Sequence, residues 1–195
     1  LSNTSEEYNG SAWTEGNNLN TARMAIKGAG SQTAAVGFGG GYPVSNMNLT
    51  EEYNGTSWSE QNDMSADRAG HTGFGTQTAA VATADWPAAT TEEYGGTSWT
   101  AGGDLGTARY GGASAGSSTK ALFSSGTSGP GGLRAQVEDW NGTSWTEVAD
   151  VPAGKRKTIG AGTQTAALMM GGQPDVATTF EWNVPESLSN LTITD

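Results

Sequence analysis

Short apolar segments bounded by glycine and polar turn residues recur along this chain, and their order repeats four times. Each copy contains an acidic pair, an aromatic residue, a glycine-containing turn and a tryptophan, and its first aromatic residue is Tyr8, Tyr53, Tyr94 or Trp140. These positions are 45, 41 and 46 residues apart. A period of about 44 residues with several short apolar runs is the size of one four-stranded propeller blade. The pattern therefore predicts an all-β propeller with four-stranded antiparallel blades and four complete repeats.

The first two segments of each unit are predicted to be the inner strands of a blade. The first begins at a basic residue and continues through small residues, and the basic positions are Arg23, Arg68, Arg109 and Lys155. Small residues are expected where strands crowd around a central axis. The second segment is a mostly apolar run bounded by glycine, which is typical of a strand buried on both faces. Lys120 interrupts this run in the third copy, so either its stem is buried or that blade opens towards solvent.

The third and fourth segments are predicted to form a hairpin around Asn54-Gly55. Asn-Gly favours positive φ at both central residues, which is the geometry of a type I′ turn. The equivalent dipeptides are Asn9-Gly10, Asn141-Gly142 and Gly95-Gly96. An aromatic residue and a tryptophan flank each turn, and we expect them to pack between blades.

The repeats predict a single propeller domain over residues 1–195, with units at about 22–60, 67–101, 108–147 and 155–195. The hairpin at residues 6–15 is a partial repeat ahead of them, and residues 190–194 are a candidate for a further outer strand. Four units are few for a propeller. Two closures stay open: a tight four-bladed ring joined by pairing of N- and C-terminal strands, or a larger ring of which this chain is a fragment.

The balance of charge limits the partners. The 195-residue chain has a formal net charge of −11 and a pI of about 4.3, so nucleic acid and anionic membranes are not expected partners. The short basic run at residues 155–157 is expected at a strand edge. No run of about 18 apolar residues exists, so membrane insertion is not expected. The chain has no cysteine, and its stability must come from packing.

No set of residues predicts catalysis, a metal site or a cofactor. The acidic pairs, such as Glu51-Glu52, occupy adjacent strand positions whose side chains point to opposite faces and cannot converge on one ion. We expect them to protect an outer strand edge or, alternatively, to pair between blades with the recurring basic residues. The single histidine, His71, falls on an inner strand and is expected to be a hydrogen-bonded core residue. The chain is therefore predicted not to be an enzyme.

The order of the motifs resembles the kelch repeat. An apolar strand ends in Gly-Gly at residues 39–40 and 171–172, and an aromatic residue and a tryptophan follow, as at Tyr53 and Trp58. Ala84-Asp85 and Ser125-Gly126 replace the double glycine in the other copies. Kelch proteins are β-propellers, so the resemblance implies that fold for nearly the whole chain.

A narrower resemblance is to the kelch-like repeats in structural proteins of marine tailed bacteriophages. It rests on Gly-Thr-Gln-Thr-Ala-Ala at Gly75 and Gly162 and on Thr-Glu-Glu-Tyr-Asn-Gly-Thr-Ser-Trp at Thr50. The resemblance implies a virion protein, such as a tail or capsid appendage. Its implied partners are other virion proteins and a host-surface glycan or protein, and a homo-oligomer is a further alternative.

Specificity is expected in the loops that differ between copies. Residues 41–49, 87–91 and 127–136 fill one slot of the repeat with different lengths, and loops on a constant scaffold commonly bind partners. The candidate partner-binding residues are Tyr42, Pro43, Asn46, Asp85, Trp86, Pro130, Leu133 and Arg134. The expected function is a non-enzymatic structural or host-recognition role on a bacteriophage virion. A secreted or cell-surface bacterial carbohydrate-binding or adhesion propeller is the alternative, and a propeller lyase or hydrolase is a third.

Overall fold

The computed structural model describes residues 1–42, 45–85, 87–129, 132–174 and 177–184. Strands and turns, without a helix, make up these residues. No membrane-spanning helix is therefore found in the part of the chain that the structure describes. Four antiparallel sheets are arranged as the four blades of a β-propeller, which confirms the expected fold class.

Each blade is built from consecutive strands. A hairpin precedes the blades and consists of β1 (Glu6–Tyr8) and β2 (Trp13–Glu15). Blade 1 contains β3 (Lys27–Ser31), β4 (Ala34–Phe38), the inserted short hairpin β5 (Gly41–Tyr42) and β6 (Ser45–Asn46), then β7 (Thr50–Tyr53) and β8 (Trp58–Glu60). Blade 2 contains β9 (Thr72–Thr76), β10 (Ala79–Thr83), β11 (Thr91–Tyr94) and β12 (Trp99–Ala101). Blade 3 contains β13 (Ala113–Ser117), β14 (Lys120–Ser124), β15 (Val137–Trp140) and β16 (Trp145–Val148). The described part of blade 4 contains β17 (Ile159–Gly162), β18 (Ala166–Met170) and β19 (Thr179–Asn183).

The first strand of every blade is the innermost one, as the small-residue pattern predicts. β3, β9, β13 and β17 pack side by side in that order. Glycine permits their close approach, because a Cβ on Gly73 would lie 2.5 Å from the Phe38 ring of the preceding blade. Likewise, a Cβ on Gly160 would lie 2.3 Å from the carbonyl oxygen of Ser114. Neighbouring blades therefore touch where the first strand has no side chain.

The second strand is buried in the interior blades, as its apolar run predicts. Most of β10 is buried, and Val81 is completely inaccessible to solvent. Lys120 is exposed at the start of β14, and the three residues that follow it are buried. The lysine therefore precedes the buried part of the strand, and the interior of the blade stays closed to solvent.

β3 and β17 stand at the two ends of the row of inner strands. Within the described residues they make no contact comparable with those between consecutive blades. The β1–β2 hairpin pairs with no other strand there and lies beside blade 1. Closure by pairing of N- and C-terminal strands is thus not formed in the described ranges, and the candidate strand at residues 190–194 falls outside them.

The hairpin between the third and fourth strands differs from the expected type I′ turn. Tyr53 lies directly opposite Trp58, so the loop has four residues. Gly55 has a φ of 89°, but Asn54 is not among the residues with positive φ. The side-chain oxygen of Asn54 instead accepts hydrogen bonds of 2.9 Å from the two backbone N–H groups that follow Gly55. This side-chain cap removes the need for a second left-handed residue, and the type I′ prediction is wrong.

The first acid of each pair in blades 1 to 3 is buried in an ion pair within its own blade. The pairs are Arg23–Glu51, Arg68–Glu92 and Arg109–Glu138. The N–O distance is 2.7 Å in blade 1 and 3.0 Å in blade 2. Each carboxylate also accepts a backbone N–H from the loop before the first strand, such as that of Ser65, 2.8 Å from Glu92. The predictions of an outer-edge role and of pairing between blades are both wrong for these acids, because the arginine lies beside the third strand of its own sheet.

The second acid points to the opposite face and joins adjacent blades. The Tyr94 hydroxyl of blade 2 donates to Glu52 of blade 1 at 3.0 Å. In the same interface the indole N–H of Trp99 donates to the Thr50 hydroxyl at 2.9 Å. Tyr94 and Trp99 also contact each other, with ring centroids 5.0 Å apart. The predicted packing of these aromatic residues between blades is confirmed.

Candidate functional site

Two sets of loops emerge at the same end of the propeller. One set joins the second strand to the third and contains the inserts, and the other leads into the first strand of the next blade. Backbone hydrogen bonds connect the two sets. The Gly40 N–H donates to the Arg68 carbonyl oxygen at 2.8 Å, and the Gly126 N–H donates to the Lys155 carbonyl oxygen at 2.7 Å. This end therefore collects the segments that differ most between repeats, whereas the Asn-Gly turns lie at the other end.

The loops before the inner strands surround a concavity on the propeller axis, called here the axial depression. It has a volume of about 510 Å³. Its lining residues are 25, 27, 69–71, 110–112, 127 and 156–158. All four blades contribute, mainly through the residues that directly follow the recurring basic position. The depression is therefore a product of the arrangement of the four blades and belongs to no single repeat.

Backbone contacts fix the rim of the axial depression. Gly111 N–H donates to the Gly70 carbonyl oxygen at 3.0 Å, and Lys157 N–H donates to the Gly111 carbonyl oxygen at 2.6 Å. Ala25 and Lys157 both have a φ of 58°. Non-glycine residues adopt this left-handed region only when the surrounding structure holds them there. The loops of blades 2, 3 and 4 thus form a connected rim.

Cationic side chains line the axial depression. They are Lys27, Arg156 and Lys157. The described lining itself has no carboxylate, and that of Asp85 approaches the rim, 3.4 Å from the Gly70 N–H. The whole chain has 20 acidic residues and 9 Lys and Arg residues, and the buried bases in the blades are Arg23, Arg68, Arg109 and Lys155. The accessible positive charge of an acidic protein is therefore concentrated at the axis. Fixed charges of one sign in a concavity attract ligands of the opposite sign.

His71 lies at the base of the axial depression and is buried. Its ring packs against Phe38 with the centroids 5.7 Å apart. Neither ring nitrogen forms a hydrogen bond of good geometry among the described residues, although the Phe38 backbone lies close enough to favour the protonated ring. The prediction of a hydrogen-bonded core histidine is therefore confirmed for its burial alone. Burial, together with the charges of Arg68 and Lys27, lowers the pKa of His71 to about 3. His71 is therefore neutral at physiological pH and shapes the floor of the depression.

The chemistry of the axial depression favours binding of an anion. Tyr110 brings an aromatic side chain beside the three cations. The Thr127 hydroxyl already donates to the Gly129 carbonyl oxygen at 2.7 Å, and the Thr158 hydroxyl is buried. Ammonium, guanidinium and hydroxyl donors form their strongest hydrogen bonds with carboxylate, sulfate or phosphate oxygens. A histidine with a pKa of about 3 is a weak general base at neutral pH. No group of three His, Asp or Glu side chains that could hold a metal occurs in the described part of the chain.

The insert of blade 3 adjoins the axial depression. Leu133 is 38% exposed and lines a neighbouring depression of about 400 Å³ together with Arg156. Arg134 is half-buried, and its Nε donates to the Ser128 hydroxyl at 2.9 Å. Leu133 therefore stands beside Arg156 of the cationic lining, and Arg134 follows it in the same insert.

The other predicted loop residues are divided between described and undescribed positions. Asn46 is exposed in the β5–β6 hairpin, where the backbone of Tyr42 pairs with Ser45. Asp85 accepts a backbone hydrogen bond of 3.4 Å from Gly70 on the rim. Pro43, Trp86 and Pro130 lie outside the described residues.

Sequence reasoning did not identify the cationic lining. The basic run expected at a strand edge is divided by the structure, since Lys155 is buried in blade 4 while Arg156 and Lys157 line the axial depression. A signal was present in the sequence. The four positions after the recurring base read Met-Ala-Ile-Lys, Ala-Gly-His-Thr, Tyr-Gly-Gly-Ala and Arg-Lys-Thr-Ile, and they differ more than the strands around them.

Comparisons with known proteins support the fold. No protein-family model matches the chain, and no curated protein sequence matches it. The structure is similar to a solved structure of YjhT, with a TM-score of 0.72 and 16% sequence identity. The similarity covers 87% of this chain and 66% of that chain, so this chain spans slightly less than two thirds of the neighbour's length. At this identity the likeness shows a shared β-propeller fold and carries no statement about activity.

Proposed function

We propose that this protein is a non-enzymatic recognition propeller of a bacteriophage particle and that its axial depression binds an acidic glycan on the host surface. The observation that carries the proposal is the convergence of Lys27, Arg156 and Lys157, which come from two different blades, on one concavity of an acidic protein. A protein with this net charge gains nothing for its solubility from three clustered cations.

The scaffold suits a recognition protein. Buried ion pairs and interblade hydrogen bonds recur from blade to blade, as in the equivalent pairs Arg23–Glu51 and Arg68–Glu92. The loops at the end of the axial depression differ in length and composition. Such a division lets the binding surface change while the packing stays constant.

The chemistry favours an acidic polymer over a small neutral sugar. The charged donors of the axial depression are the side chains of Lys27, Arg156 and Lys157. These groups recognise carboxylate, sulfate or phosphate substituents. The adjoining depression beside Leu133 and Arg156 would accommodate further residues of the same polymer.

The particle assignment rests on the sequence. The Gly-Thr-Gln-Thr-Ala-Ala and Thr-Glu-Glu-Tyr-Asn-Gly-Thr-Ser-Trp motifs resemble kelch-like repeats of phage structural proteins, and near-identical repeats are what recent duplication would produce. A secreted bacterial carbohydrate-binding propeller would use the same site. Mass spectrometry of purified virions decides between the two sources, because peptides of this chain are expected in the particle.

Binding is tested with the recombinant chain on immobilised bacterial polysaccharides, acidic and neutral, and on whole cells. The double variant Lys27→Glu/Lys157→Glu reverses two exposed charges of the axial depression. Loss of two charge-assisted contacts is expected to weaken binding to the acidic polymer by at least about tenfold, or about 1.4 kcal/mol.

The matched control is Lys120→Glu, which changes an exposed lysine at the opposite end of blade 3. It should bind like the parent. Equal binding by the double variant and the control, at matched melting temperatures, would show that the axial depression is not the site. Turnover of the polymer by the parent would contradict the non-enzymatic assignment.

A further inference from the structure

The β1–β2 hairpin contacts blade 1 in the same way as the outer half of one blade, its third and fourth strands, contacts the next blade. Trp58 of blade 1 donates its indole N–H to the Ser5 hydroxyl at 3.4 Å, just as Trp99 donates to Thr50. Asn17 donates to the Thr56 carbonyl oxygen at 2.5 Å. The equivalent bond in the next interface joins Asn62 to Thr97 at 2.8 Å. The hairpin therefore occupies the position of the outer half of a blade.

One edge of this half-blade has no partner among the described strands. In blades 1 to 3 the third strand pairs on both sides, with the second and fourth strands. β1 pairs with β2 alone among the described strands. Tyr8 on β1 is 47% exposed, whereas the equivalent Tyr53 and Tyr94 are 5% and 2% exposed. An unpaired edge flanked by an exposed aromatic residue is a template for an added strand.

An apolar depression lies on the face of β3 and β4, next to Leu19, which follows β2. Its volume is about 400 Å³, and its lining includes Ile26, Ala29, Val36 and Trp58. In the next interface, the ring of Phe38 fills the corresponding place and lies 4.9 Å from the Trp99 ring. Gly28 stands where Gly73 makes room for that ring. Blade 1 is thus shaped to receive an apolar side chain from a second strand on its open side.

Glu6 supplies charge complementarity at the same edge. It is aligned with Glu51, Glu92 and Glu138, each of which is buried in an ion pair with an arginine that precedes an inner strand. Glu6 is exposed. A strand pair that brought an arginine in the same register would complete this recurring ion pair.

We propose that β1–β2 is the outer half of a further blade and that its open edge binds one occupant, an inner hairpin of this same repeat. The occupant has an arginine, a glycine-rich first strand and an apolar second strand, as in residues 67–83. Its second strand pairs antiparallel with β1, and an apolar side chain from it covers Trp58. A second whole copy fits poorly, because every inner hairpin among the described residues already carries a third strand. The proposal is independent of the ligand bound at the axial depression.

The test places a copy of residues 67–90 directly before Ser5, in place of residues 1–4. In blade 2 the same segment runs directly into Thr91, which is the counterpart of Ser5, so the native connection is kept. Hydrogen exchange of β1 amides is then measured by mass spectrometry. Pairing should slow their exchange by at least about tenfold relative to the parent, which corresponds to about 1.4 kcal/mol of protection. The control is an extension of the same composition in scrambled order, and exchange in blades 2 and 3 reports intact folding.

A second variant isolates the ion pair. Glu6→Gln should lower the melting temperature of the extended protein and leave that of the parent unchanged, because only the extended protein offers an arginine at that place. In a second arm, a peptide of residues 67–84 added to the unmodified chain should protect the same amides. The proposal is overturned if β1 exchanges as fast with both forms of the hairpin as with the scrambled extension. It is equally overturned if the unmodified chain protects β1 by dimerising at high concentration, since a second copy would then be the occupant.

Discussion

The ammonium group of Lys155 lies 5.8 Å from the centroid of the Phe180 ring. Phe180 pairs with Met169 in blade 4, and Glu51 pairs with Gly37 at the equivalent position of blade 1. Phe180 therefore occupies the place of Glu51. Blade 4 therefore has a lysine and an aromatic ring where the other blades have an arginine and a glutamate. The face of an aromatic ring attracts a cation, so Phe180 is one of the groups that stabilise the buried Lys155.

The buried pair of blade 3 can be tested against this substitution. Arg109→Met leaves Glu138, which is 2% exposed, without its cation, and is expected to lower the free energy of unfolding by about 3–5 kcal/mol. The double variant Arg109→Lys/Glu138→Phe copies blade 4 and should lose less. Chemical denaturation measures both, with Lys120→Met as the exposed control. A loss for Arg109→Met no larger than that of the control would show that the pair contributes nothing to stability.

The hydrogen bond between the indole of Trp145 and the hydroxyl of Thr91 connects blades 2 and 3 at 3.0 Å. Thr91→Val keeps the side-chain shape but removes the partner of a buried indole N–H and of the Thr83 hydroxyl, which lies 2.8 Å from that of Thr91. The loss should destabilise the protein by about 1–3 kcal/mol. Ser5→Ala is the matched control, because its bond to Trp58 is longer, at 3.4 Å, and less buried. Thermal unfolding measures the loss of stability in each variant. Equal losses would show that burial of the hydrogen bond does not increase its contribution to stability.

The turn at Gly55 requires a left-handed backbone, with a φ of 89°. Gly55→Val should lower the free energy of unfolding by about 1–2 kcal/mol or more, because a β-branched residue is strained there and its Cβ would lie 3.3 Å from the Thr33 carbonyl oxygen. Gly10→Val separates the two causes, since a Cβ on Gly10 meets nothing within 4 Å at a φ of 97°.

Gly95→Val completes the comparison, because Gly95 is not among the residues with positive φ. Its melting temperature should stay near that of the parent. A large loss at Gly95, or an unchanged melting temperature at Gly55, would show that backbone conformation does not govern these turns.

His71 should make stability depend on pH. Its pKa in the folded protein is about 3, below the ordinary value of 6.5, so between these values the unfolded chain binds a proton that the folded chain does not. Stability should therefore fall as the pH drops below about 6.5, by up to about 1.4 kcal/mol per pH unit from this group.

His71→Ile removes the titrating group and uses the residue found at the equivalent position of blade 1, Ile26. The difference in unfolding free energy between parent and variant is measured from pH 7 to pH 4. The parent should lose stability relative to the variant as the pH falls. A difference that does not change with pH would mean that His71 is protonated equally in the folded and unfolded states.

The strands and their order could be predicted from the sequence, because each depends on local features. The apolar run from Thr33, the small residues after Arg23 and the cross-strand pair of Tyr53 and Trp58 recur at fixed spacing, and neighbours in sequence are neighbours in the sheet. The prediction of the turn type was wrong at Asn54, because the conformation depends on a side-chain hydrogen bond that the dipeptide does not specify.

The pairing of charges needed the tertiary structure. The recurrence of arginine and glutamate indicated partners, but whether Arg23 meets the acid of its own blade or of its neighbour depends on where the loop before β3 runs. That Asn46, Asp85, Leu133 and Arg134 bind a partner stays a prediction. The structure places these residues in loops at the same end of the propeller as the axial depression.

The sequence by itself determined the repeat, the four strands of each unit and the propeller class, since these follow from short-range periodicity and turn residues. Only the tertiary structure decided that Lys27 and Lys157, 130 positions apart in the chain, line one concavity, and that β1 pairs with β2 alone among the described strands. The physical reason is that blades arranged around an axis bring one loop from each of them together there. The position of a residue within its own repeat says nothing about which side chains from other repeats will face it.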